Sequence, residues 1–73
     1  MDIRESMIKA LRKKYEAVIE EAKATAEVYL HRPVGIGEHL QFIEELDKLM
    51  SKIAEAEDKL TVVNQRFDED IPF

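Results

Sequence analysis

The chain has 73 residues, enough for one domain, with 37% charged and 45% apolar side chains and a formal net charge of −5. That mix is too apolar for a disordered chain, and its acidic balance is opposite in sign to that of most nucleic-acid-binding domains. The absence of cysteine excludes disulfide staples, thiolate metal sites and thiol nucleophiles. No apolar run approaches the ~20 residues that span a bilayer, and no signal-peptide core follows Met1, so a cytoplasmic protein without membrane contact is expected.

From Ile3 to Leu30 there is neither glycine nor proline. Ile8, Leu11, Tyr15, Val18 and Ala22, continued by Thr25 and Tyr29, recur at alternating steps of three and four. This spacing aligns them as one stripe along a helix. Five alanines between Ala10 and Ala26 add helix propensity, and a helix is predicted over about 3–31. The next stretch, residues 32–37, holds both glycines and one of the two prolines. Pro33 lacks an N–H and disfavours helical geometry at Arg32, while Gly35 and Gly37 supply the positive φ that a tight reversal needs. Val34 and Ile36 are expected to fold over the end of this hinge.

From Glu38 the apolar pattern strengthens. Phe42, Leu46, Leu49, Ile53, Ala56, Leu60, Val63 and Phe67 form an unbroken heptad series, predicting a second helix over about 38–67. An acidic tail with a proline follows. Two long helices joined by a short loop lie antiparallel, so the predicted fold is an all-α two-helix hairpin forming a single domain. Pairing positions whose numbers sum to 71 sets large against small: Tyr15 faces Ala56, and Ala22 faces Leu49. The same pairing puts Arg12 near Glu57 and Glu21 near Lys52.

A core of this size supplies only a few kcal/mol. Ile19, Ala26, Ile43 and Met50 fall beside the main stripe and line one flank in the half nearer the loop. They are the candidate self-association residues, through which two hairpins would join into a four-helix bundle, a homodimer.

The charges are unevenly spread. Residues 1–32 carry seven Lys/Arg against six Asp/Glu, and residues 33–73 carry four against ten. Any phosphate contact must therefore come from the first helix, where Arg4, Lys9, Arg12, Lys13 and Lys14 form a candidate nucleic-acid-binding cluster near Tyr15. A solvated helix face explains the same residues. His31 and His39 flank the loop beside Glu38 but lack metal-ligand spacing, and His31 is expected to serve the carbonyls at the end of the first helix. Gly35-Ile36-Gly37 follows no strand and matches no nucleotide fingerprint. No nucleophile–base constellation is present, and no cofactor or metal is expected.

Glu27-Val28-Tyr29-Leu30, the run Pro33-Val34-Gly35-Ile36-Gly37-Glu38-His39, and Lys52-Ile53-Ala54-Glu55-Ala56-Glu57 together carry a family resemblance. The chain resembles small helical-hairpin proteins of T-even-like phages and cyanophages that are encoded beside the recombination helicase UvsW. The resemblance covers most of the chain and contains no catalytic motif. It implies an accessory role in phage DNA recombination, replication or repair, in the infected host cell, with a replication or recombination protein as partner. Helicase activity does not carry over, because the chain has no phosphate-binding loop. The expected function is thus a non-enzymatic interaction protein. The alternatives are a direct single-stranded nucleic-acid-binding module and a structural coiled-coil adaptor.

Overall fold

The structure, a computed structural model, describes residues 2–31 and 39–67. Helix α1 runs Ile3–His31 and helix α2 runs His39–Arg66, each bound within about a residue of its expected limit. The hinge residues Pro33, Gly35 and Gly37, with Val34 and Ile36, lie outside the described residues, as does the tail beyond Phe67.

Both ends of α1 and the end of α2 carry contacts to backbone groups. Asp2 caps α1. Its carboxylate accepts the Glu5 N–H at 2.7 Å, and its carbonyl accepts the Ser6 N–H at 3.1 Å. The first contact satisfies one of the four N–H groups that a helix start leaves unbonded, and the second is the helix's own first i→i−4 bond. At the far end of α1 the His31 Nδ1 lies 2.8 Å from the Glu27 carbonyl oxygen, as expected for a residue in the last turn. Since a carbonyl only accepts, Nδ1 carries the proton. At the end of α2 the Phe67 N–H donates to the Val63 carbonyl at 3.0 Å. The Phe67 carbonyl in turn accepts from Arg4 Nη2 at 3.1 Å, so a cation from α1 sits at the negative end of α2.

Two contacts at opposite ends of the hairpin fix its register. Tyr29 and Phe42 meet edge to face at 5.4 Å between centroids, and Arg4 reaches Phe67. Both pairs sum to 71, so the two ends of the hairpin keep the antiparallel pairing read from the sequence, while between them Arg12 meets Asn64 rather than the expected Glu57 and Tyr15 lies beside Lys59.

The rotation of α1 about its own axis differs from the expectation. Leu11 and Thr25, expected in the seam, are exposed, whereas Arg12 and Ile19 are half-buried and Ala26 is buried. Ile8, Tyr15, Val18, Ala22 and Tyr29 stay in the seam, so at 100° per residue its centre turns by roughly 35°. Ala22 and Ala26, one turn apart, provide the flattest face of α1, and turning that face inward lets the two backbones approach closely. The seam is accordingly small. The buried apolar residues are Ala22, Ala26, Ala56 and Val63, all between 3% and 5% exposed, and no large side chain among the described residues is fully enclosed. The molecule measures 54 × 21 × 14 Å. Its thinnest dimension is little more than one helix diameter of ~10–12 Å, so the fold is a single layer.

Candidate interaction surface

The rotation of α1 gives the two broad faces of the hairpin different characters. One face is marked by the hydrogen bond from Arg12 Nε to Asn64 Oδ1, 2.9 Å and partly buried. Asn64 stands one heptad beyond Glu57, the neighbour expected for Arg12. Residues seven apart lie in one column of a helix packed in this way. Arg12, Ile19 and Ala26 form such a column on α1, and Ile43, Met50, Glu57 and Asn64 form one on α2. The expected self-association residues therefore do share a flank, but their roles divide. Ala26, at 4% exposed, is taken up by the intrachain seam and offers no surface, because the turn of α1 carried it inward. Ile19 is half-buried. Ile43 and Met50 stand out at 65% and 47% exposed, with exposed Leu30 one turn beyond Ala26.

The other face carries a groove between the helices. At the open end of the hairpin, away from the hinge, Ile8, Leu11, Tyr15, Val62, Val63 and Phe67 enclose about 410 Å³ of almost wholly apolar space. Leu11, Val62 and Phe67 keep 37%, 49% and 48% of their surface in solvent. Past Tyr15 and Lys59 the groove continues toward the middle of the molecule. There Val18, Ala22, Leu49 and Ala56 form the floor, and Lys14, Glu21, Lys52 and Glu55 stand on the rims. The expected neighbours Glu21 and Lys52 thus border the same space. Where the two parts join, Lys59 binds Glu55 at 2.8 Å and sits 5.8 Å from the centroid of the Tyr15 ring. The hydrogen bond and charge of Lys59 hold the Glu55 carboxyl below its ordinary value. Through the same contact, Glu55 raises the Lys59 ammonium.

The groove is absent from the sequence pattern. Val62 lies outside the heptad series, and the periodicity assigns Leu11 and Phe67 to the seam. The signal that could have found it is the row Ile3, Met7, Leu11 at steps of four, a second apolar ridge beside the first.

The basic cluster is dispersed. Arg4 is bonded to the end of α2 and Arg12 to Asn64. Lys9, Lys13 and Lys14 are exposed, but at 100° per residue they spread over roughly 140° of the helix surface. Lys14 borders the groove and Lys9 points toward the opposite face. His31, held to the Glu27 carbonyl, also lies 3.3 Å from the Glu27 carboxylate. Among the described residues no polar or charged side chain is buried. Among them, too, no helix is long and apolar enough to cross a membrane.

Comparison with protein-family models, with curated proteins and with solved structures returned no match to this chain.

Proposed function

We propose that this chain is a non-enzymatic interaction protein that self-associates through its Ile19, Ile43 and Met50 flank into a four-helix assembly. One observation carries the reading. Among the described residues the hairpin buries no side chain larger than Val63, yet it leaves nine large apolar side chains exposed. A single layer of two helices has no third surface on which to bury them, and association supplies one. The phage resemblance of the central stretch supports a setting for that assembly: accessory to DNA recombination, replication or repair, within an infected cell. Sedimentation equilibrium at high micromolar concentration tests the reading. Mass rising above that of one chain is expected, and a strictly monomeric protein would overturn it.

The exposure of Lys9, Lys13 and Lys14 favours a second reading, direct contact with single-stranded nucleic acid. Only these three of the five basic residues are offered, since Arg4 and Arg12 already serve the fold. Reversing the charge of all three should abolish any salt-sensitive binding to a single-stranded oligonucleotide while leaving self-association intact. Unchanged binding would exclude the cluster as the contact.

A further inference from the structure

The two exposed apolar surfaces lie on opposite faces and at opposite ends of the hairpin. The groove of Ile8, Leu11, Val62 and Phe67 is at the open end, on the face away from the Arg12–Asn64 bond. The flank of Ile43, Met50 and Leu30 is near the hinge, on the face that carries that bond. A twofold contact joins a patch to itself. It would cover one of these surfaces and leave the other in water. A single kind of contact covers both only if the groove of one copy receives the flank of the next.

Building on the self-association proposed above, we infer that the occupant of the groove is a second copy of this chain, entering with the outer face of its α2 around Ile43 and Met50 in a head-to-tail contact. The charges favour this arrangement over flank on flank. The flank of α2 carries Asp47 and Glu57 beside its apolar residues and no basic residue between Ile43 and Met50 other than Lys48, which is bound to Glu45 on a different side. The basic residues of the same flank, Arg12 and Lys23, stand on α1, so pairing α2 with α2 across a twofold sets acid against acid. The groove is balanced, with Lys14, Lys52 and Lys59 against Glu21, Glu55 and Asp58. Each surface occupies about half the length of the hairpin. Half of a 54 by 21 Å face is roughly 570 Å² per partner, near the lower limit of ~1,200 Å² in total for stable contacts. The contact is therefore concentration-dependent. Because each copy keeps one unused surface at either end, it continues beyond the dimer unless it closes into a ring.

Complementation tests this directly. Val62→Glu blocks the groove and leaves the flank; Met50→Lys blocks the flank and leaves the groove. Both positions are about half exposed, so the fold survives, and unchanged helical circular dichroism verifies it. Each variant alone should sediment with the mass of one chain. Their equimolar mixture should return to twice that mass and go no further, because the heterodimer has no free functional surface. Leu11→Glu mixed with Ile43→Lys should behave in the same way. A Val62→Glu variant that dimerises as the native chain does overturns the head-to-tail contact and leaves a flank-on-flank dimer standing, and a mixture that stays monomeric while the native chain associates overturns both contacts. A native chain that is monomeric throughout overturns self-association itself.

Discussion

Single side chains do more to close this hairpin than their surface positions suggest. Asp2 binds the N–H groups that open α1, and replacing it with alanine should lower stability by about 0.5–2 kcal/mol, read by thermal or urea unfolding. The Asp2→Asn variant keeps an accepting oxygen at the cap and should retain most of that stability. Arg4 ties the start of α1 to the last carbonyl of α2. Neither role is legible in the sequence. There Asp2 belongs to the chain start and Arg4 to a basic cluster, because a long cation gives no local sign of which distant carbonyl it meets. His31 is legible, since its partner lies one turn away on the same helix. The Glu55–Lys59 pair makes a prediction about titration. The lowered carboxyl contributes above its ordinary range and loses that contribution as pH falls through its folded value. The raised ammonium contributes below its ordinary range and loses it as pH rises through its folded value. The pair thus acts across the interval between carboxylate and ammonium titration. In a Lys59→Met variant the Glu55 midpoint, followed by NMR, should move up toward the ordinary carboxylate value. An unmoved midpoint would mean that the contact does not persist in solution.

The existence, length and pairing of the helices are legible because neither contains a breaker and both carry a continuous apolar series. The rotation of α1 is not. Heptad spacing names a stripe but leaves its centre open over a few tens of degrees, and the ambiguity is greatest where alanines sit on either side of it. Thr25 and Ala26 are the example: the periodicity favours Thr25, and close approach of the backbones selects Ala26. Enlarging the seam at this point should be costly. Ala26→Leu is expected to destabilise by about 1–3 kcal/mol, whereas Thr25→Leu, on the exposed neighbour, should stay within ~0.5 kcal/mol by chemical denaturation. Equal effects at the two positions would contradict the observed rotation.

At the scale of the whole molecule, thinness governs behaviour. One layer of two helices has two faces in water, and both carry apolar surface. The flank can be read from the sequence because its residues sit next to a clear stripe. The groove cannot, because it exists only once α1 has turned and left Leu11 at its rim. Concentration should act on this protein as a stabilising ligand does, since association removes folded monomer from the unfolding equilibrium. The unfolding midpoint is therefore expected to rise with protein concentration in the native chain and to be flat in Met50→Lys.

The two tyrosines stand at different stations of the hairpin, and the chain has no tryptophan to mask them. Tyr29 leans on Phe42 beside the hinge, while Tyr15 lies under Lys59 midway along the groove. The native protein thus contains two intrinsic optical reporters. With Tyr29 changed to phenylalanine, ultraviolet emission would come from Tyr15 alone and would register the filling of the groove without any added label.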